Sequence, residues 1–204
     1  MITVHGRANS SNVQKVLWAL IELDLAYELV ARGGAHGGLD DPAFRKLTPY
    51  GLVPVIEDGG FALAESHSIV RHLGRQGGNP TLWPSLPRPL ARAEAVMDWT
   101  QATLWAGIRP PYVAVAREGM DRSDPSLAAQ VQALVDPLMT LERLLGESGW
   151  LTGGSFGFAD IPAAVAMSRL VWLVGRGALP PETQSWFDAC SDREAFQRVV
   201  VVDG

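Results

Sequence analysis

The sequence is poor in cysteine and in long apolar runs. Cys190 is the only cysteine among 204 residues, which excludes an intramolecular disulfide, a zinc site built on cysteines and a C-x-x-C redox pair. No uncharged apolar run reaches the roughly 18 residues of a membrane-spanning helix. Residues 1–30 also lack a basic segment followed by a long apolar run, so no signal peptide is expected. These features predict a reduced, cytoplasmic protein that does not insert into membranes.

A surplus of basic residues is also missing. The chain has 17 Lys and Arg against 22 Asp and Glu, which gives a net charge of −5 at pH 7. This balance disfavours nucleic acid and an anionic membrane surface as partners. The four histidines do not have the spacing of a metal site, so no metal is expected. Hydrophobic residues make up 47% of the chain, which is typical of a globular protein with a sizeable core.

The first part of the chain mixes strand-like and helix-like segments. Period-two and β-branched patterns predict strands near residues 1–5, 27–31, 53–57 and 61–63. Helical spacing of apolar residues predicts helices over residues 12–25 and 66–75. Asp58-Gly59-Gly60 predicts a tight hairpin between the last two strands. The predicted order is β-α-β-loop-β-β-α, in a domain that spans residues 1–77.

Proline and glycine then interrupt the chain. Residues 77–89 contain four prolines and two glycines, a composition that disfavours helix and central strand, so residues 78–89 are expected to form a linker. The remainder, residues 90–204, is predicted to be an all-helical domain. The predicted helices cover approximately residues 90–118, 126–146, 159–174, 183–190 and 193–200.

Two helix starts carry polar residues that could bind a ligand. Ser10 and Ser11 precede the first helix and are good N-cap residues. Glu65 and Ser66 open the helix after the hairpin, where both suit an ordinary cap. A helix N-terminus with a hydroxyl also suits a bound carboxylate, and an adjacent acidic side chain suits an ammonium group. Both readings of the Glu65-Ser66 pair are compatible with each other.

Five segments carry a resemblance to a known family. LVPVI at residues 52–56, followed by LAES at 63–66 and IVRHL at 69–73, resembles the glutathione-binding core of cytosolic glutathione S-transferases. GRANSSNVQKV at residues 6–16 resembles the catalytic start of bacterial members related to the serine-type classes (theta, zeta and beta-like). GFADI at residues 157–161 resembles the capping box of a buried helix in the second domain. The resemblance extends over essentially the whole chain in the correct order.

The resemblance implies a thioredoxin-like α/β N-terminal domain followed by an all-α C-terminal domain. It implies that glutathione is the co-substrate, and that the chain forms a homodimer. Val53 would pair with the cysteinyl backbone, beside a cis Pro54, and Glu65 with Ser66 would bind the γ-glutamyl end. The thiolate donor is Ser10, Ser11 or Asn12, of which Ser10 is favoured. The electrophile site would be lined from the first long helix of the second domain, by Trp99, Thr103, Arg109 and Tyr112.

The implied activity is transfer of the glutathione thiolate to an apolar electrophile. The alternatives are a glutathione-dependent peroxidase or disulfide reductase, and a non-catalytic binding module with the same fold. Two positions depart from the family pattern: Leu52 replaces a frequent Lys or Arg, and Gly157 replaces the Ser or Thr of the capping box. The basic side chains that could compensate for Leu52 are those of His36, Arg45 and Lys46.

Overall fold

The computed structural model describes residues 1–76, 79–80 and 82–202. Backbone contacts divide the chain into two compact units, one of Met1–Asn79 with Arg198–Val201 and the other of Pro80–Gln197 with Val202–Gly204. Residues 77, 78, 81, 203 and 204, which belong to the predicted domains and linker, lie outside the described residues.

The first unit is built on a mixed sheet of order β2-β1-β3-β4. Its described strands are β1 (Ile2–His5), β2 (Tyr27–Val30), β3 (Val55–Asp58) and β4 (Phe61–Ala64). Strand β1 runs parallel to β2 and antiparallel to β3, and β3 runs antiparallel to β4. The predicted hairpin is present, with Asp58 opposite Phe61. The apolar residues of β1 and β3 supply the centre of the core, where Val4, Val55 and Ile56 are fully buried.

The helices of the first unit are α1 (Ser11–Glu22), α2 (Pro42–Leu47) and α3 (Ser66–Gln76). Helices α1 and α3 pack against each other. On α3, Ile69, Val70 and Leu73 are buried at helical spacing, whereas α1 is buried on nearly every side from Val13 to Leu20. A helix that is enclosed all round has no solvated face for its polar residues, and this constraint is important for the site.

The second unit is helical. Its helices are α4 (Pro87–Trp99), α5 (Ala106–Glu118), α6 (Pro125–Gln132), α7 (Val135–Leu145), α8 (Asp160–Val174), α9 (Pro181–Ser191) and most of α10 (Glu194–Val199). The last two residues of α10, Arg198 and Val199, belong to the first unit. Helix α8 is buried along almost its whole length and packs against α5 and α9. In the part of the chain that the structure covers, no helix has the length and apolarity needed to cross a membrane.

Helix α1 ends at Glu22, three residues before the predicted end, and the helices of the second unit differ from the sequence prediction mainly at three points. Helix α4 begins at Pro87, inside the predicted linker, because proline is tolerated in the first turn, where its missing N–H has no helical partner. The predicted helix 90–118 contains a π-helical segment at Thr100–Trp105. The predicted helix 126–146 is broken between α6 and α7, because Pro137 cannot donate to the carbonyl four residues earlier.

The start of α8 is fixed by one buried carboxylate. Asp160 is fully buried, and its Oδ2 accepts from the backbone N–H of Gly157 at 2.8 Å, which is the acidic half of a capping box. Its Oδ1 accepts from the indole Nε1 of Trp186 at 2.8 Å and from the N–H of Leu151 at 3.1 Å. Asp160 therefore joins the loop before α8 to helix α9.

The structure explains why glycine occupies the cap position. A Cβ added at Gly157 would lie 3.0 Å from the hydroxyl of Thr152 and 3.2 Å from the carbonyl oxygen of Leu82. That carbonyl already accepts from the N–H of Phe158 at 3.0 Å, so it is held in place. The space of a capping Ser or Thr side chain is thus occupied, and Asp160 alone supplies the cap.

Replacement of Asp160 by Asn tests this cap. Burial raises the pKa of Asp160 to about 6 from 3.8, against the hydrogen bonds from Gly157, Trp186 and Leu151, which lower it. Because the folded-state pKa lies above the unfolded one, the group contributes most stability below pH 3.8, and this contribution decreases as the pH rises to about 6. The decrease is up to about 3 kcal/mol. Asp160→Asn should therefore remove this pH dependence.

Denaturant unfolding of both proteins across this pH range measures the difference. The variant, which loses one acceptor oxygen, should also be less stable by about 1–3 kcal/mol at the acidic end. Identical pH slopes for the wild type and the variant would contradict the raised pKa.

Candidate functional site

Three segments of the first unit meet at one edge of its sheet because of strand direction. Strand β1 ends where its antiparallel neighbour β3 begins, with His5 opposite Val55. Strand β4 ends at the same edge, with Ala64 opposite Val55. The segments that follow β1, precede β3 and follow β4 therefore come together. They contain the predicted residues Ser10 to Asn12, Val53 with Pro54, and Glu65 with Ser66.

The segment after β1 leads directly into α1. Gly6 allows the close approach, since a Cβ there would lie 2.4 Å from a methyl group of Val13. Ser10 is the N-cap residue in extended conformation, its side chain makes no capping hydrogen bond, and its carbonyl accepts from the N–H of Gln14 at 2.9 Å. Ser10 and Ser11 are 8% and 9% exposed. Two hydroxyls thus lie at the positive end of a helix dipole.

The segment before β3 contains the cis peptide bond between Val53 and Pro54. Leu52 is exposed and Val53 is half-buried. Within the described residues, the backbone N–H and C=O of Val53 make no hydrogen bond to other backbone groups. Val53 therefore offers one donor and one acceptor to an extended peptide.

The segment after β4 places a carboxylate in a rare backbone conformation. Glu65 has φ of 71°, in the left-handed region that residues with a Cβ seldom adopt. Its side chain is exposed, and its carbonyl accepts from the N–H of Ile69 at 2.9 Å as α3 begins. Ser66, the first residue of α3, is 4% exposed. An acidic side chain thus stands beside the N–H groups of a helix N-terminus.

A buried lysine lies behind these segments. Lys15 on α1 is fully buried, and its Nζ donates to Oδ1 of Asn12 at 3.0 Å and lies 3.2 Å from Nε2 of His67 on α3. The sequence motifs did not predict this contact. The available sequence signal was the apolar run VLWALI at residues 16–21, which indicates a helix buried on more than one face but does not reveal the partners of Lys15.

The predicted electrophile residues lie in the second unit and do not share one environment. Trp99, at the end of α4, lines a cavity of about 510 Å³ together with residues of α7. Thr103 and Arg109 are exposed. Tyr112 is 4% exposed, and its ring meets that of Trp172 edge-on at 5.7 Å, as a core residue does. The structure does not bring these four residues together around that cavity.

Comparison with known proteins identifies the family. Residues 4–81 match the family model described as glutathione S-transferase, N-terminal domain. Glutathione S-transferase GstB of Escherichia coli is 35% identical over 206 residues, and the match covers 99% of each chain. The chain belongs to the glutathione S-transferase family.

Solved structures agree with this family. The theta class glutathione S-transferase of Xanthomonas axonopodis pv. citri, determined with glutathione bound, is 36% identical with a TM-score of 0.86, over 98% of this chain and 97% of that one. Glutathione transferase F2 of Populus trichocarpa is 25% identical with a TM-score of 0.88, over 98% and 97%. The predictions of the family, of the thioredoxin-like and all-α fold and of a glutathione S-transferase enzyme are therefore confirmed.

The backbone of Glu65 yields a stability test. Glycine adopts positive φ without a Cβ clash, whereas alanine does not. The free energy of unfolding of Glu65→Gly should therefore be about 1 kcal/mol higher than that of Glu65→Ala. At most positions the alanine variant would be the more stable of the two. Denaturant unfolding of the two variants measures the difference. A Glu65→Ala protein as stable as Glu65→Gly would show that the left-handed conformation is not retained.

Proposed function

We propose that the enzyme binds glutathione along the sheet edge and transfers its thiolate to an apolar electrophile. The observation that carries this proposal is the convergence of three chemically distinct segments at that edge. The backbone of Val53 would pair with the cysteinyl residue. The carboxylate of Glu65 would bind the α-ammonium group, and the N-terminus of α3 at Ser66 would bind the α-carboxylate.

The bound thiol would lie at the start of α1. A free thiol has a pKa of about 8.5, so only a small fraction is ionised at neutral pH. A hydroxyl that donates to sulfur and a helix N-terminus both favour the thiolate. We assign the principal donor to Ser10, whose hydroxyl is not used for capping, with Ser11 and Asn12 as the neighbouring candidates.

The proposed reaction requires no reactant besides glutathione, the electrophile and water. The thiol proton leaves to solvent, and the thiolate attacks an electrophilic carbon to form a C–S bond. In a substitution, the leaving group departs with the electron pair of the bond that breaks. In an addition, a conjugated double bond accepts the electron pair, and the resulting carbanion is protonated by water. We assign the electrophile surface to the helical unit, where Trp99, Thr103, Arg109 and Tyr112 remain the candidates. A homodimer is the proposed assembly.

Arg45 is proposed as the basic group that replaces the family's Lys or Arg at position 52. A Cβ added at Gly51 would lie 2.3 Å from Nη1 of Arg45, so the guanidinium lies directly beside the residue that precedes Leu52. It is exposed and pairs with Asp40 at 2.8 Å. A cation at this position suits the glycyl carboxylate of glutathione. His36 and Lys46 are also exposed.

Serine substitutions test the thiolate donor. Ser10→Ala should lower kcat/KM with a chloronitrobenzene by about tenfold or more, because the lost hydrogen bond raises the thiol pKa by about one unit. Calorimetric affinity for glutathione should change little. Ser68→Ala, which removes an exposed hydroxyl from α3, is the matched control. If Ser11→Ala alone showed a comparable loss of kcat/KM, the principal thiolate donor would be Ser11 and not Ser10.

The same assays distinguish the alternative functions. Faster turnover of a hydroperoxide or a mixed disulfide than of the chloronitrobenzene would favour a peroxidase or reductase. The absence of any heat of association at millimolar glutathione would leave only a binding module with this fold. Weakened glutathione binding in both Glu65→Ala and Ser66→Ala would support the γ-glutamyl site, and unchanged binding in both would remove it.

Arg45→Met should weaken glutathione binding by about fivefold, since an exposed ion pair contributes about 1 kcal/mol or less. γ-Glutamylcysteine, which has no glycyl carboxylate, is the control ligand, and its affinity should be the same for both proteins. Calorimetry measures both. An equal loss for the two ligands would place the effect of Arg45 elsewhere.

A further inference from the structure

The environment of Lys15 is unusual for a lysine. Its side chain is completely enclosed within the first unit, although lysine is rarely buried unless it is paired. The ammonium nitrogen lies 3.0 Å from Oδ1 of Asn12 and 3.2 Å from Nε2 of His67. Lys15 therefore connects the helix start with the proposed thiolate donors to the residue that follows Ser66, in the proposed γ-glutamyl site.

This contact fixes the orientation of the Asn12 amide. An ammonium group has three donors and no acceptor, so the atom of Asn12 that faces it must be the carbonyl oxygen. The NH₂ group of Asn12 is then directed away from Lys15. By the same reasoning, Nε2 of His67 is the acceptor in its contact with the ammonium group of Lys15.

We infer that Lys15 is a positioning residue that keeps the N–H of Asn12 directed toward the sulfur of bound glutathione. The inference rests on the proposed function, in which the thiol lies at residues 10–12. Asn12 is the second residue of α1, next to both serines, and its side chain is only partly buried. A donor from Asn12 adds to the hydroxyl of Ser10 in stabilising the thiolate.

The orientation matters because the side-chain amide has a donor end, the NH₂ group, and an acceptor end, the oxygen. With its N–H toward sulfur, Asn12 stabilises the thiolate, and with its oxygen toward sulfur it repels the negative charge. Lys15 selects the first arrangement by binding the oxygen. Loss of Lys15 frees the amide to rotate, so the thiol pKa should rise by about one unit, which is a tenfold smaller thiolate fraction below that pKa.

Other titratable groups lie on the elements around this contact. Arg7 precedes α1, and Glu65 and Arg71 lie at the start and in the middle of α3. Arg198 belongs to the C-terminal segment of the same unit. On α1 itself, Glu22 accepts from Nε1 of Trp18 at 2.8 Å. All of them are retained in the variants below, so their effects on the thiol are shared with the wild type.

The test measures the pKa of glutathione bound to each protein, from the ultraviolet absorbance of its thiolate across pH. Lys15→Met retains the apolar stem and removes the ammonium group. It should raise the thiol pKa by about one unit, while the affinity for S-methylglutathione, which carries no thiol, stays within about twofold of the wild type. Arg88→Met on α4 removes one exposed positive charge and is the matched control for net charge.

A double variant separates orientation from the direct field of the ammonium group. If Lys15 acts through Asn12, then Lys15→Met added to Asn12→Ala should raise the thiol pKa little beyond Asn12→Ala alone. A full additional shift in that background would overturn the inference, because it would show that the charge acts on sulfur directly. An unchanged thiol pKa in Lys15→Met would overturn it as well.

Asn12→Asp provides a test that leaves Lys15 in place, in case Lys15→Met does not fold. If Lys15 holds one carboxylate oxygen, the other oxygen faces the sulfur and repels it. The thiol pKa should therefore rise more in Asn12→Asp than in Asn12→Ala, and equal shifts would contradict the inference. The proposed function itself fails in a different way, since wild-type protein would then show no glutathione binding or no lowering of the bound thiol pKa.

Discussion

Strand β3 pairs antiparallel with both β1 and β4, and the whole candidate site depends on that double pairing. The register places the end of β1, the beginning of β3 and the end of β4 at a single edge of the sheet. Residues separated by more than fifty positions, such as Ser10 and Glu65, therefore approach each other without any direct link. A slip of one residue in either pairing would turn the side chains of β3 to the other face of the sheet.

Two of the fully buried charged side chains among the described residues, Asp160 and Lys15, are stabilised in different ways. Asp160 is surrounded by N–H donors from backbone and indole, which match a carboxylate and lock the start of α8. Lys15 contacts an amide oxygen and an imidazole nitrogen, both neutral acceptors. Burial of a charge is unfavourable unless it is hydrogen-bonded. The burial of Asp160 is explained by its structural role at the start of α8. Lys15, in contrast, lies beside residues for which we propose a role in binding or activating glutathione.

The sequence was sufficient for the architecture because the patterns were local. Strand alternation, the Asp58-Gly59-Gly60 turn and the proline-rich segment predicted the order of elements, and the motifs predicted the family. The predicted helix boundaries were less accurate near prolines, because the effect of a proline depends on its position in the helix. Pro87 begins α4, whereas Pro137 accompanies the break between α6 and α7. The roles of the predicted site residues remain proposals. The Lys15 contact could not be predicted, because it depends on how α1 and α3 pack, and a single sequence does not encode which polar partners meet across that packing.

The division of the chain into units has a consequence for dissection of the protein. Residues 198–201 belong to the first unit although they follow residues 80–197 of the helical unit in sequence. Gln14, which is fully buried, donates to the carbonyl oxygens of both Ala8 and Val201. A fragment cut after residue 79 would therefore lack one acceptor of a buried amide directly behind the Ser10 loop.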